Sequence, residues 1–277
     1  MNPKVSVIIP TYNRAGFLEQ AVDSVLQQSF RDYELIVADD GSTDNTAKIL
    51  KKYGDALQYI SAENRGPAAA RNRGIRISKG ECCAFLDSDD RWRRDKLRKQ
   101  VEAMSASPEY LISHTREIWY RRGKILPHKK KHKKLSGRIF SKSLAMCMVS
   151  MSTVMVRKKL FEKIGFFDEN LPCCEDYDFW LRAAVDHRFL LVEEELTFKD
   201  GGRDDQVSAL YRVGMDRFRI RSILNLLGNS PLNREQRKQA RAELERKCRV
   251  YGNGCIKHGR KEEGEYYLSL PTMLDQK

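Results

Sequence analysis

VSVIIPTYNR (Val5–Arg14) and, further along, ELIVADDGSTD (Glu34–Asp44) decide the fold. Each begins as a short run of apolar, largely β-branched residues and breaks into a polar turn. A run without polar alternation is a strand covered on both faces, the condition of strands in a parallel sheet. Between the two, Leu18, Ala21, Val22, Val25 and Leu26 recur at helical spacing, so one helix face packs on that sheet. The alternation continues. Thr43 or Asp44 is placed to cap a helix running through Leu50 and Lys52. Leu57–Ile60 is a weaker third strand, Pro67 opens a helix over Ala68–Ile77 at the position where its missing N–H costs nothing, and Ala84–Leu86 is a fourth strand ending at Asp87. Strand–helix repetition of this kind predicts an α/β chain with a Rossmann-like, mainly parallel sheet flanked by helices.

The remainder is less regular. Glu109–Lys124 reads as two strands around an Arg121-Arg122-Gly123 turn, Gly137–Met146 as a helix and Ser152–Val156 as a strand. Lys158–Ile164 reads as a helix stopped by Gly165, Asp176–Asp186 as a further helix and Phe189–Phe198 as a strand. Beyond about Gln206 the pattern is helical: Val207–Leu227, Asn233–Tyr251, and one more short helix within Asn253–Leu270. The expected organisation is one domain over 1–205 and a small C-terminal helical appendage over 206–277.

At 277 residues the chain can bury a core without cross-links. Its seven cysteines are odd in number and include the adjacent pairs Cys82-Cys83 and Cys173-Cys174, with no CxxC spacing. That argues against a zinc site or a disulfide framework and for a reducing cytoplasm. No apolar run approaches the roughly 18–20 residues of a membrane span, and Met1–Pro10 enters a strand pattern rather than a signal peptide. The formal charge of +13 calls for an anionic partner. Part of the excess is local, in HKKKHKK (His128–Lys134) and in Arg91, Arg93 and Arg94 beside Trp92. Either run also reads as a solvated face. His128 and His132 stand at i, i+4, but no third ligand accompanies them.

In open parallel sheets, ligands bind beyond the carboxyl ends of the strands. That rule gathers the turns Pro10–Arg14, Asp39–Ser42 and Asp87–Asp90. Like charges crowded at one sheet edge are costly unless a cation or a donor-rich ligand joins them. Asp87 and Asp89 flank one residue at an extended strand end, so both carboxylates project to one side. Two hard oxygen ligands at that spacing suit Mg2+ or Mn2+ completed by substrate phosphates.

Together VSVIIPTYNR, ELIVADDGSTD, NRGPAAARNRGI (Asn64–Ile75), FLDSDD (Phe85–Asp90) and EDYDFWLR (Glu175–Arg182) resemble the family 2 glycosyltransferases of the GT-A fold, in order and spacing, over residues 1 to about 200. The resemblance implies a nucleotide-sugar half over about 1–110 and an acceptor half over about 111–205. It implies that Thr11 and Tyr12, on the loop that also carries Pro10 and Arg14, line the base and ribose, and that Asp40 hydrogen-bonds the base, usually uracil. Asp87 and Asp89 match the metal and diphosphate motif, with Ser88 between them and Asp90 adjacent. Asn64 and Arg71 belong to the donor-side stretch; Arg71 contacts the donor or braces the site through Asp87. Glu175-Asp176 matches the acidic pair that supplies a general base, with Asp176 favoured, and the alternative is that one of them caps a helix. Trp180 is read as packing, with stacking on an acceptor sugar as its functional alternative. In GGRDDQVS (Gly201–Ser208), Arg203 stands where relatives carry a histidine; a guanidinium still suits phosphate. The competing reading is a loop in which Asp205 or Ser208 starts a helix.

The expected activity is therefore inverting, metal-dependent transfer from a nucleotide-diphosphate sugar, with UDP the expected carrier, to a glycan or lipid-linked acceptor in cell-surface polysaccharide synthesis. The expected cofactor is Mn2+ or Mg2+. The location is cytoplasmic, with the basic segment 124–134 adding peripheral association at an anionic inner membrane face. A sugar nucleotidyltransferase would carry a Gly-rich basic turn after the first strand, where this chain has PTYNR. A basic nucleic-acid binder, suggested by charge alone, would interleave surface aromatics or carry a zinc or RNA-binding signature; no nucleic acid is expected.

Overall fold

The computed structural model describes residues 2–275. Along the chain run β1 (Val5–Thr11), α1 (Ala15–Leu26), β2 (Tyr33–Asp39), α2 (Thr46–Leu50), β3 (Gln58–Ser61), α3 (Pro67–Ile77), β4 (Cys82–Phe85), β5 (Arg91–Trp92) and α4 (Lys96–Ala106). Then follow β6 (Ile112–Arg121), β7 (Lys124–Leu126), α5 (Phe140–Ala145), β8 (Val154–Arg157), α6 (Lys159–Ile164), α7 (Glu175–Asp186) and β9 (Phe189–Gly201). The chain closes with α8 (Val207–Leu210), α9 (Met215–Asn229), α10 (Arg234–Lys257) and α11 (Lys261–Asp275).

One sheet of nine strands runs β3-β2-β1-β4-β8-β6-β9-β5, with β7 paired to β6. The first four strands are parallel, and so are β6 and β9. β8 is antiparallel to both its neighbours, and β5 and β7 are antiparallel edge strands. The mainly parallel character expected from the sequence thus holds for the N-terminal half, and the second half is mixed.

Every residue of β1 is buried, as its unbroken apolar run requires. Two layers of core flank the sheet. On one side α1 and α4 pack on Val7, Ile9 and Leu35. On the other, Ile8, Ile36 and Phe85 face α3, α6 and α7. α3 approaches β1 so closely that a Cβ on Gly74 would lie 2.6 Å from Ile8 Cγ2.

The C-terminal segment departs from expectation in two places. The single helix foreseen over Val207–Leu227 is broken, because Gly214 turns the chain at φ +93° before α9 begins. α10 starts where expected, with Asn233 and Gln236 forming a capping box, and runs on to Lys257. Its extension past Gly252 allows α11 to sit against it: a Cβ there would lie 2.8 Å from the Gly264 carbonyl oxygen. Ile220, Ile223, Leu244 and Cys248 from these helices join the same core as α7. All seven cysteines are free thiols.

Candidate active site

Because β1, β2 and β4 are parallel and paired Thr11 to Asp39 and Ile8 to Phe85, their carboxyl ends open on one edge. There a cleft of about 1200 Å³ is lined by Pro10, Thr11, Tyr12, Arg14, Asp40, Asn64, Arg71, the turn 87–90, Glu175 and Asp176. It therefore brings together every site residue expected from the sequence except Trp180 and Arg203. The geometry at its two ends is unusual for ordinary side chains. Asn13 (φ 51°) in the first loop and Cys174 (φ 63°), immediately before the acidic pair, both hold left-handed backbone that a side chain disfavours.

Arg71 is the centre of the arrangement. It is 5% exposed, and its guanidinium reaches Asp87 Oδ1 at 2.8 Å and Glu175 Oε1 at 2.5 Å. It thus ties the end of β4 to the start of α7 across the cleft. Of the two roles foreseen for it, bracing is visible, and it extends to Glu175 as well as Asp87. Burial raises the Asp87 carboxyl, but Arg71 and Lys199 outweigh that and hold it below the usual range. Burial pushes the Glu175 carboxyl up to about 7, with Arg71 opposing and Asp176 adding to the rise.

Asp90 is engaged within the chain. Its Oδ2 accepts from Ser152 Oγ at 2.6 Å and lies 3.1 Å from Lys199 Nζ, and its Oδ1 accepts from the Asp200 N–H at 3.2 Å. Both oxygens are spent on fastening β9 to the turn, and burial raises its carboxyl to about 7. Lys199, absent from the sequence reading, lies within 3.8 Å of Asp87 Oδ2 as well. Burial would lower its ammonium pKa, but Asp90 and Asp87 raise it well above the usual value.

Arg203 lies outside the lining and sits behind Asp89. It pairs with Asp89 Oδ2, to which Gln206 Nε2 also donates at 3.1 Å, and it covers the Phe17 ring at 4.2 Å. Arg14 joins the same closure by donating to the Asp205 carbonyl at 2.7 Å and pairing with its carboxylate at 2.6 Å. The capped-loop alternative fails in its details: α8 begins after Gln206, and no side chain caps it.

Asp40 is buried, and its carboxylate accepts the N–H groups of Arg65 and Gly66 and the guanidinium of Arg73. It organises the Asn64–Gly66 loop. Thr11 Oγ1 is buried without a hydrogen-bond partner, and Tyr12 beside it is 46% exposed. A buried hydroxyl in a cleft wall with no partner in the chain is open to a water or a ligand.

At the other wall, Asp176 Oδ1 accepts the Tyr177 N–H at 2.6 Å and its Oδ2 accepts from the Cys147 thiol at 3.4 Å. Burial, then Asp176, raises that thiol well above its usual value, so Cys147 is a neutral donor. For Trp180 the packing reading holds and the stacking alternative does not. It is 1% exposed, edge-on to Phe179 and Phe189 in the core, and offers no face to a sugar.

A divalent cation fits the residues that remain. Asp87 Oδ1 and Asp89 Oδ2 are engaged by the chain. Asp87 Oδ2 lies 3.8 Å from Lys199 Nζ, and the contacts of Asp89 with Arg203 and Gln206 run to its Oδ2. No cluster of three ligating side chains occurs among the described residues. Two carboxylate oxygens, with phosphate and water supplying the rest, are the donor set small hard cations accept.

The chain belongs to glycosyl transferase family 2, whose model matches residues 6–165. An uncharacterised glycosyltransferase of Rickettsia bellii is 39% identical over 202 residues, 70% of this chain and 28% of that protein. The putative teichuronic acid biosynthesis glycosyltransferase TuaG of Bacillus subtilis is 47% identical over 106 residues, 37% of this chain and 42% of that one. The chain spans less than two thirds of the length of the curated relatives it matches first. Among solved structures, S. aureus TarS 1–349 in complex with UDP-GlcNAc matches with TM-score 0.73 at 22% identity, covering 97% of this chain and 79% of that one. The mannosyltransferase PcManGT of Pyrobaculum calidifontis, in complex with GDP-Man and Mn2+, matches with TM-score 0.67 at 18% identity, over 99% and 76%. These likenesses establish the GT-A fold. Among the described residues no helix is long and apolar enough to cross a membrane.

Proposed function

We propose that the chain transfers a sugar, with inversion, from a nucleotide-diphosphate sugar, UDP-linked, to a hydroxyl of a glycan or lipid-linked acceptor in cell-surface polysaccharide synthesis. The observation that carries this reading is the Arg71 bridge, which holds a diphosphate-type acidic turn and an acidic helix start on opposite walls of one cleft. TarS with UDP-GlcNAc and TuaG in teichuronic acid synthesis support the donor and the acceptor class.

The uridine lies against Thr11 and Tyr12, where the Thr11 hydroxyl gains its missing partner. Asp40 lines the same side of the cleft, its carboxylate fixed by Arg65, Gly66 and Arg73, with the Arg65 N–H shared between both oxygens. In this reading Asp40 is the hydrogen-bond partner of the base. Asp87 and Asp89 would hold Mn2+ or Mg2+, which would supply charge neutralisation for the departing diphosphate. Lys199 adds charge from below, and Arg203 orients Asp89. Asp176 accepts the proton from the attacking hydroxyl as the new glycosidic bond forms and the anomeric carbon–phosphate oxygen bond breaks. Glu175, paired to Arg71, holds that wall in place. The domain boundary follows the same logic, with the transferase over 1–205 and an appendage over 206–277 whose helix α9 packs on α7. The working location is the cytoplasm, at an anionic membrane face.

Calorimetric titration with UDP-, GDP- and TDP-sugars, with Mn2+ and with chelator, tests the reading. The expected result is metal-dependent binding selective for the UDP-sugars, and slow donor hydrolysis. Absence of metal-dependent binding to every nucleotide would overturn it.

A further inference from the structure

The mouth of the cleft carries a surface that neither the core nor the site uses. β7 presents Ile125 (63% exposed) and Leu126 (41%), and the segment from α8 onward presents Leu210 (68%) and Val213 (83%). Leu126 and Leu210 line the same cleft, so two apolar tips rim one opening.

Around them lies concentrated positive charge. Residues 121–134 contain eight Lys or Arg and no Asp or Glu. Lys129, Lys130, Lys131 and Lys133 are exposed, and among the described residues none of them makes a salt bridge. The backbone beneath them is anchored. The Trp119 ring packs against His128 at 4.5 Å and His132 at 4.8 Å. Lys134 turns inward to Glu117 at 2.7 Å and donates to Ser150 Oγ at 3.0 Å. The strap is thus fixed at both ends and spends one lysine on the fold, leaving four directed to solvent.

A soluble polyanion would use the lysines and have no use for the aliphatic tips. An apolar protein partner would leave the lysines uncompensated. An anionic bilayer uses both, because cations seek the headgroup potential while aliphatic side chains enter the acyl boundary, and stable attachment takes two such signals. We propose that this rim is a lipid-docking surface that seats the cleft mouth on an anionic membrane, so that the acceptor arrives lipid-linked from the membrane plane. The acceptor's identity rests on the transferase reading; the docking itself does not.

The test is flotation of the full chain, without donor, on vesicles of phosphatidylcholine alone and of equal parts phosphatidylcholine and phosphatidylglycerol. Wild type should bind the anionic vesicles preferentially. The Ile125→Ser/Val213→Ser variant, altered at two residues outside the cleft lining, should bind at least about tenfold less. The variant with Lys129, Lys130, Lys131 and Lys133 changed to Gln should lose the preference for anionic lipid. Both should keep wild-type UDP binding and donor hydrolysis in solution. Equal binding to neutral vesicles, or an undiminished aliphatic double variant, would overturn the proposal. So would capture by heparin or RNA with no vesicle binding, which would assign the lysines to a soluble polyanion. Vesicle binding as expected with no nucleotide binding would break the transferase reading alone.

Discussion

At the end of β4, Asp90 is buried with both oxygens spent on Ser152, Lys199 and the Asp200 backbone, while the contacts of Asp89 with Arg203 and Gln206 run to one oxygen. At the start of α7, Glu175 is buried on Arg71, while Asp176 is half-buried and meets only a thiol and one N–H. Two acidic motifs on opposite walls are thus divided in the same manner. One member builds the wall and the other faces the space. Burial supplies the division, because desolvation raises the carboxyls of Asp90 and Glu175 to about 7 and charged partners must then hold them. An acidic pair in a sequence names two candidates; packing decides which of them is free to act.

The largest expected effect comes from removing the link between the motifs. Arg71→Met leaves the buried Glu175 and Asp87 without their common cation, a loss of about 3–5 kcal/mol of folding stability by the usual cost of breaking a buried pair. Urea unfolding measures it, and a loss under about 1 kcal/mol would mean the two walls do not depend on the bridge. Next comes the cleft-facing acid of the β4 motif. Asp89→Ala should weaken Mn2+-dependent UDP binding by at least about 10- to 100-fold, the cost of disturbing even an outer-shell partner, and leave metal-free binding unchanged.

The smallest effect concerns pH. Glu175 has a folded pKa raised from 4.5 to about 7. Between those values the folded chain retains a proton the unfolded chain has lost, so this group's stabilisation is present at low pH and is lost as pH rises through about 7. Glu175→Gln removes that dependence. The change in unfolding free energy between pH 5 and pH 7.5 should differ from wild type by about 1–3 kcal/mol. Identical slopes would place Glu175 in water rather than in the wall.

The strand-end turns of the cleft were legible in the sequence because their information is local. A buried parallel strand declares itself by an unbroken apolar run, and its polar end is the next few residues; Thr11, Asp40 and the 87–90 turn follow directly. The residues that fix those carboxylates depend on register between distant segments. Lys199 reads as an ordinary strand lysine, and it meets Asp90 because β9 lies beside both β6 and β5. Cys147 reaches Asp176 from a loop with no signature. Gln206 and Arg73 likewise act across long separations on Asp89 and Asp40. Trp180, read as packing, was legible from spacing alone: the pattern marked α7 as amphipathic, and the buried stripe of α7 includes it. Gly214 in the middle of the expected long helix was a visible breaker signal, and its left-handed backbone stands at the start of α9.

Turnover of the preferred nucleotide-sugar by Asp176→Asn and Glu175→Gln, measured beside their UDP affinities, tests the division of the acidic motifs most directly. Asp176→Asn should bind UDP and Mn2+ as wild type does and lose about 10²- to 10⁴-fold in turnover, the usual worth of a general base. Glu175→Gln should keep turnover within about tenfold. Turnover retained by Asp176→Asn and abolished by Glu175→Gln would contradict the account, because the buried wall residue would then be the one doing the chemistry.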